Sequence, residues 1–277
     1  MGSVSQRDRY PLGRDVSDSI RLDAQHLLWR MHLGYILHPQ IPITKGMKIA
    51  ELGTGTGVWI LDAARCLPST VELHGYDISN YQYPPRKFWP RNVTMGILDS
   101  LTDPPPQLVG QYDVVHLRMW ASNLKGNDTS PLLEHVKKLL KPGGYVQWED
   151  ADLVNQAVSG EEAEKFAALM QEIFEKAGLQ YEWVSELPAR LPGHGFEVLH
   201  AGNTKFNYGC VQLCTNTYLM AMAEILRGVQ RNSVANKSPI TVRDQEEVLS
   251  KLLQNSRNGM VYNWIPVVVL GQKKENA

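Results

Sequence analysis

The sequence predicts an α/β protein in which a doubly wound, mostly parallel sheet carries helices on both faces. Between positions 48 and 150, short apolar runs typical of buried strands alternate with amphipathic runs typical of helices. The first strand run leads directly into three glycines at alternate positions, Gly53, Gly55 and Gly57. Strand–helix–strand units cross over with right-handed chirality, which places successive strands in parallel within one sheet.

The glycine run at 53–57 indicates a turn that brings the backbone close to a ligand. Glycine lacks the Cβ that would block a sharp turn or a close approach. A dinucleotide-binding loop, G-x-G-x-x-G, requires a glycine at position 58, where this chain has Val58. The spacing here is instead E-x-G-x-G-x-G, with Glu51 at the end of the strand run. An ordinary turn is the alternative interpretation of these glycines.

Two later strand runs end beside acidic residues. Run 71–77 ends in Asp77, and an acid about 20 residues beyond a glycine loop is where a ribose-binding carboxylate belongs. Run 92–98 is followed by Asp99, which can accept a hydrogen bond from an exocyclic amine. Further strands are predicted at 112–117, 145–150, 195–199 and 264–271, and helices at 131–140, 161–177, 185–191, 209–231 and 241–253.

The fourth and fifth strand runs supply the candidate active-site residues, because the C-terminal edge of a parallel sheet lines the ligand crevice. Arg118 and Trp120, at this edge, are predicted to contact the substrate. Glu149 and His116 are the candidate catalytic groups, each able to exchange a proton. For Glu149 the alternative is a hydrogen-bonding residue that organises the pocket without taking a proton. For His116 it is a core histidine on a buried strand.

The residues before the first strand predict an amphipathic helix that is capped by Asp18 or Ser19 and ends before Pro39. Its polar residues are expected to face an active site, with His26 as the candidate substrate contact. The alternative is a solvated polar face, with the apolar side of the helix docked on the sheet. The polar residues are Arg21, Gln25, His26 and His32. The apolar residues are Ile20, Leu22, Leu27, Leu28, Met31 and Tyr35.

Composition excludes several classes of protein. With 277 residues, 43% hydrophobic and 21% charged, the chain predicts an ordinary globular domain. A formal net charge of −1 provides no global attraction to nucleic acid or to an anionic membrane. No apolar run approaches the ~20 residues that span a bilayer. Three cysteines, Cys66, Cys210 and Cys214, favour a reducing cytoplasmic setting and predict neither a disulfide framework nor a metal site.

In this order, the motifs resemble those of the class I S-adenosylmethionine-dependent methyltransferases. The resemblance covers roughly positions 46–150. Two N-terminal runs, 10–14 and 21–26, together with 147–150, are similar to fungal secondary-metabolite methyltransferases, the branch that includes the gliotoxin-cluster N-methyltransferase. The motifs that carry the class I resemblance are 51–57, 75–79, 98–99, 112–115 and 140–144.

The resemblance implies a Rossmann-like methyltransferase fold with a seventh, antiparallel strand and S-adenosylmethionine as cofactor. It implies a single domain over 1–277. Within that domain, 1–45 form an N-terminal lid, 46–202 and 259–277 form the cofactor-binding core, and 203–258 form a helical cap before the last strand. The expected cofactor contacts are Glu51 near the methionine moiety, Gly53, Gly55 and Gly57 along the backbone, Asp77 at the ribose, Asp99 at the adenine amine, and Ile78, Leu98 and Ser100, of which the last two flank the adenine.

The expected activity is methylation of a nitrogen, oxygen or sulfur atom of a small-molecule secondary metabolite by in-line transfer. Two alternatives stay open. One is a protein that binds the cofactor but catalyses a non-methylating step, such as a dehydration or a pericyclic closure. The other is a regulatory non-enzyme. We expect neither a nucleic-acid nor a membrane partner. The sequence leaves the oligomeric state open, a homodimer being one of the options.

Overall fold

The computed structural model describes residues 14–124, 126–176, 178–235 and 243–275. Seven strands form one sheet, in which β1–β5 run parallel and β7 pairs antiparallel with both β5 and β6. This arrangement confirms the predicted seven-stranded, mostly parallel fold. The strands are β1 (Lys48–Leu52), β2 (Glu72–Asp77), β3 (Val93–Ile97), β4 (Tyr112–Arg118), β5 (Leu140–Ser159), β6 (Phe196–Gly202) and β7 (Val261–Lys273), in the spatial order β3-β2-β1-β4-β5-β7-β6.

The helices lie between these strands or cover the sheet edge. Within the described ranges, none of them is both long and apolar enough to cross a membrane. The start of the predicted N-terminal lid, residues 1–13, and the first two residues of the helix predicted at 241–253 lie outside the described residues. The helices are α1 (Val16–Leu33), α2 (Val58–Cys66), α3 (Ser130–Leu139), α4 (Glu161–Lys176), α5 (Glu182–Arg190), α6 (Tyr208–Ala235) and α7 (Arg243–Asn255).

Strand order fixes the position of the ligand crevice. The chain builds outward from β1 through β2 to β3, then returns to the other side of β1 with β4 and β5. The carboxyl ends of β1 and β4 therefore lie at the point where the winding direction reverses, which is where open α/β sheets bind ligands. Both strands are buried on both faces, as their continuous apolar runs predict.

Helix α1 begins one turn earlier than predicted. Its N-cap is Asp15, whose side chain accepts a hydrogen bond from the backbone N–H of Asp18 at 2.9 Å. Asp18 in turn accepts one from the backbone N–H of Asp15 at 3.0 Å, which completes a capping box. The assignment of Asp18 or Ser19 as the cap is therefore wrong, because Asp18 is the third helical residue of this motif. Gly34, with φ +75°, ends the helix.

The alternative interpretation of α1, a solvated polar face with the apolar side docked on the sheet, is wrong in part. Ile20, Leu27 and Met31 are 63%, 52% and 47% exposed, whereas polar residues on the opposite face are buried. The physical reason is the position of the helix, which packs against α6 and turns its polar residues Arg21 and Gln25 towards the cavity. The buried residues of α1 are Asp18, Arg21, Gln25, His26, Leu28 and Trp29.

Candidate active site

A cavity of about 600 Å³ lies at the carboxyl ends of the central strands and is covered by α1 and α6. Two walls of different construction enclose it. We call the first the strand wall; it consists of Gly53, Gly55, Asp77, Ile78, Leu98, Asp99, Ser100, Arg118 and Trp120. We call the second the helix wall; it consists of Arg21, Leu22 and Gln25 of α1 and Ala221, Met222 and Ile225 of α6.

The glycine loop after β1 meets the cavity at two of its three glycines. Gly53 has φ +73°, and a Cβ there would lie 3.2 Å from the indole of Trp120. That indole donates a hydrogen bond from Nε1 to the carbonyl oxygen of Leu52 at 3.1 Å, so the contact is fixed. Gly57 does not line the cavity; a Cβ there would collide with the side chain of Met95 at 2.8 Å. Gly57 thus allows β3 to pack against the start of α2.

The acids after β2 and β3 lie where the sequence predicts them, on the strand wall. Asp77 accepts hydrogen bonds from the backbone N–H groups of Gly55, at 2.9 Å, and Ser79, at 3.1 Å. The first of these ties the end of β2 to the glycine loop. Asp99 accepts from the backbone N–H of Leu101 at 3.0 Å. Ile78, Leu98 and Ser100 lie between the two acids along the same wall, so the structure brings these predicted cofactor residues together.

Glu51 is buried beneath the glycine loop and does not line the cavity. Its carboxyl group accepts a hydrogen bond from the hydroxyl of Thr54. Burial raises the pKa of Glu51 to about 8, because the charged form loses hydration that this one hydrogen bond does not replace. Glu51 therefore supports the loop from below in this structure.

Arg118 and Glu149 are paired neighbours on β4 and β5, and their side chains form a buried ion pair. Arg118 donates from Nε to Glu149 Oε2 at 2.6 Å, and Gln147 donates to Glu149 Oε1 at 2.6 Å. Burial alone would raise the pKa of Glu149, but the Arg118 guanidinium and the hydrogen bond from His116 outweigh it and lower the pKa to about 2. Glu149 does not line the cavity; Arg118 does.

His116 is fully buried under the sheet edge and away from the cavity. Its ring stacks on the indole of Trp59 at a centroid distance of 3.7 Å and an angle of 5°. Nε2 lies 3.4 Å from Glu149 Oε2, and Nδ1 has no hydrogen-bond partner among the described residues. Burial lowers the pKa of His116 to about 4, so the ring is neutral.

His26 lies between the strand wall and α2 rather than on the cavity surface. Arg118 can only donate, so His26 Nδ1 accepts from Arg118 Nη1 at 3.0 Å, and Nε2 donates to Asp62 at 3.1 Å. Burial and the neighbouring Arg118 charge lower the pKa of His26 to about 4. His26 and Glu149 therefore hold the Arg118 guanidinium between them. The same contact connects α1 to β4.

Asp150 organises the turn after β4, a role that the sequence did not suggest. Its buried carboxylate accepts from the backbone N–H groups of Trp120, at 2.9 Å, and Ala121, at 3.2 Å, and from the indole of Trp148. Met119, just before this turn, has φ +57°, a conformation that non-glycine residues rarely adopt. The carboxylate therefore holds a strained turn that aims Trp120 at the glycine loop.

Arg21 and Gln25 of the helix wall line the cavity, as expected for polar residues of α1 that face an active site, but the α6 residues and the partner of Arg21 were missed. Arg21 donates to Glu224 from Nε at 2.6 Å and from a terminal nitrogen at 2.9 Å, although the two residues lie 203 positions apart. No local pattern indicates such a pair. Arg21 and Gln25 lie four residues apart on α1 and therefore share one helical face. Among the described residues, no cluster of three or more metal-ligating side chains is present.

A sheet in this strand order, with a glycine loop after β1 and acids after β2 and β3 facing one cavity, defines the class I methyltransferase fold. The chain belongs to the methyltransferase domain family, whose match covers residues 34–201. This membership confirms the resemblance that the sequence motifs indicated.

Curated relatives and a solved structure agree with this family. The chain is similar to methyltransferase grgD of a Penicillium species, at 33% identity over 53% of this chain and 54% of that protein. It is also similar to N-methyltransferase verN of Clonostachys rogersoniana, at 30% identity over 58% and 56%. The chain spans about half the length of these relatives. Phosphoethanolamine N-methyltransferase 2 of Haemonchus contortus has the same fold, with a TM-score of 0.55 and 16% identity over 92% of this chain and 57% of that one.

Proposed function

We propose that this protein transfers a methyl group from S-adenosylmethionine to a small-molecule secondary metabolite. The observation that carries the proposal is the strand wall, where Gly53, Gly55, Asp77 and Asp99 face one cavity. Two glycines leave room for close backbone contact, and two carboxylates can accept hydrogen bonds from ribose hydroxyls and an adenine amine. This donor and acceptor set fits the nucleoside of S-adenosylmethionine.

The cofactor supplies a methyl group already activated by a sulfonium charge. The residues of this chain therefore need to align the acceptor with that methyl group and keep water out. The helix wall is suited to this task, because Leu22, Met222 and Ile225 present apolar surface opposite the strand wall. Trp120 and Arg118 lie at the end of β4, where the two walls meet.

We propose that Glu149, His116 and His26 act by positioning Arg118 rather than by exchanging protons with the acceptor. A carboxylate whose pKa is lowered to about 2 and that three donors engage is a weak base near neutral pH. Glu149 and the two histidines also lie off the cavity surface. The acceptor therefore carries an atom that is nucleophilic without their help, such as a neutral amine or an acidic hydroxyl or thiol.

The names of the relatives support the choice of reaction. Both curated relatives are named methyltransferases, and verN is named an N-methyltransferase, which favours nitrogen as the acceptor atom. The motifs shared with fungal secondary-metabolite methyltransferases support a small-molecule substrate over a macromolecule.

The test is to incubate the purified protein with S-adenosylmethionine and a panel of aromatic, peptide-derived and polyketide metabolites. S-adenosylhomocysteine and product mass are followed in the same samples. We expect S-adenosylhomocysteine to form in equal amount to a product heavier by one methylene unit. A metabolite that is consumed without S-adenosylhomocysteine and without a mass gain would instead support the non-methylating alternative. Asp77→Asn serves as the inactive comparison, and Asp103→Asn, on the exposed surface, as its matched control.

A further inference from the structure

We propose that Gln25 selects an uncharged acceptor by hydrogen bonding to its polar group, an amide or a hydroxyl. The proposal rests on the proposed function and adds a substrate class to it. Gln25 lies on α1 in the helix wall, with its side chain lining the cavity opposite the strand wall.

Gln25 is a polar residue whose hydrogen-bonding capacity is unused. The residue is only 6% exposed, and its side-chain amide makes no hydrogen bond within the described part of the chain. Its side-chain nitrogen and oxygen are not among the fully buried polar atoms that lack a partner, so they reach the cavity surface. A ligand in the cavity can therefore supply the hydrogen-bond partner that amides in folded proteins normally have. The neighbouring polar residues on α1, Arg21 and His26, both have partners of their own.

The charges around Gln25 are already compensated. Arg21, one helical turn earlier, forms a two-bond ion pair with Glu224, and the two side chains are 3% and 1% exposed. Arg118, which contacts the adjacent His26, is paired with the fully buried Glu149. Arg14, which also lines the cavity, is likewise engaged in an interaction within the chain. An anionic acceptor would lose its hydration without gaining a free cation, because each arginine already has a partner.

The side chains that α6, β5 and β7 contribute to the cavity are mostly apolar. Ala221, Met222 and Ile225 of α6 face the cavity, together with Trp264 of β7 and Leu153 of β5. Such walls favour a flat, mostly apolar body, and the Gln25 amide beside them orients that body through one hydrogen bond. A glutamine amide offers one donor group and one acceptor, and it therefore matches a neutral amide or hydroxyl better than it matches a carboxylate.

The test uses two probes that share a flat apolar body, indole-3-acetamide and indole-3-acetate. Their binding to the protein saturated with S-adenosylhomocysteine is measured by calorimetry. We expect wild type to bind the amide at least about tenfold more tightly than the carboxylate. Gln25→Met should weaken amide binding about 3- to 10-fold, the value of one neutral hydrogen bond, and leave carboxylate and S-adenosylhomocysteine binding unchanged. Gln171→Met, at an exposed position of α4, is the matched control.

Equal affinity for both probes, no binding of the amide, or an unchanged amide affinity in Gln25→Met would overturn the proposal. The thermal midpoint of Gln25→Met separates this role from a structural one, because removing an unsatisfied amide should not lower it. Binding requires no turnover, so its outcome is independent of the methyl-transfer assay. Failure of that assay would count against the proposed function, and failure of the probe experiment against Gln25.

Discussion

The residues of the two cavity walls are held in place by different kinds of interaction. On the strand wall, the positions of Gly53, Gly55 and Asp77 are set by strand pairing and by a carboxylate that accepts a backbone N–H. On the helix wall, order depends on side chains, chiefly the Arg21–Glu224 ion pair that joins α1 to α6. From this difference we infer that the two walls bind different ligands. A wall built on backbone suits an invariant ligand such as the cofactor, whereas side chains on helices can be exchanged without disturbing the sheet.

The largest expected effect is a loss of stability when the buried partner of Arg118 is neutralised. Glu149→Gln removes the charge that compensates Arg118 in a buried site, so we expect the free energy of unfolding to fall by about 3–5 kcal/mol. Urea denaturation measures this change. Glu186→Gln removes one partner of an exposed ion pair with Arg190 and should change stability by less than about 0.5 kcal/mol. Similar losses in the two variants would show that the buried pair has no special structural role.

The next largest effect concerns the affinity of the strand wall for the cofactor product. Asp77→Asn keeps the shape of the side chain but removes the charge that strengthens the hydrogen bond from Gly55 and the proposed hydrogen bonds from the ribose hydroxyls. We expect about 10- to 100-fold weaker binding of S-adenosylhomocysteine. Calorimetry with Asp103→Asn as the control is the measurement. If the Asp77 variant binds as tightly as wild type, the ribose does not lie against Asp77.

A pH dependence sharpens the description of the strand wall. The pKa of Glu51 is raised from its ordinary value of 4.5 to about 8, so the folded protein holds a proton that the unfolded chain releases between these pH values. The stability that this proton contributes is therefore present below pH 4.5 and is lost as pH rises towards 8. Glu51→Gln lacks the effect.

The measurement is the unfolding free energy of wild type and of Glu51→Gln at pH 5 and pH 8. Relative to wild type, the variant should gain at least about 1 kcal/mol over this interval, since one unit of pKa shift corresponds to 1.36 kcal/mol. His26 and His116, whose pKa values are lowered, are present in both proteins and cancel in the difference. A stability difference that does not change with pH would mean that Glu51 is ionised in the folded protein.

The smallest expected effect concerns the outer face of α1. Leu27 is 52% exposed and Leu28 is fully buried, although the two are adjacent in sequence. Leu27→Ala should change stability by less than about 0.5 kcal/mol, whereas Leu28→Ala should cost about 2–5 kcal/mol. Thermal or urea unfolding of the two variants measures these changes in stability. Equal costs would place the apolar face of α1 against the protein, as in the alternative interpretation of the sequence.

The sequence predicts the strand wall well because its residues follow from local patterns. An apolar run, alternate glycines and an acid at a strand end specify positions such as Gly53 and Asp77 without knowledge of the fold. The helix wall depends on contacts between distant segments. Arg21 meets Glu224 across 203 positions, and a polar helical face resembles a solvated one until its neighbours are known.

Strand β5 shows the same limit. Its predicted range, 145–150, contains its buried centre, but the strand continues to Ser159 because β7 pairs with it beyond an irregularity after Asp152. Pairing partners, and not local composition, set that length. Strand register also sets the neighbours of Glu149 and His116. In the pairing of β4 with β5, His116 lies beside Gln147 and Arg118 lies beside Glu149.

The most direct test of the division between the walls is a calorimetric comparison of two variants with two ligands. S-adenosylhomocysteine is titrated into Asp77→Asn and Gln25→Met, and indole-3-acetamide is then titrated into each protein saturated with S-adenosylhomocysteine. We predict that the Asp77 variant loses affinity for the nucleoside alone and the Gln25 variant for the amide alone. Equal losses of both ligands in both variants would contradict the account and would mean that the two walls form a single, undivided site.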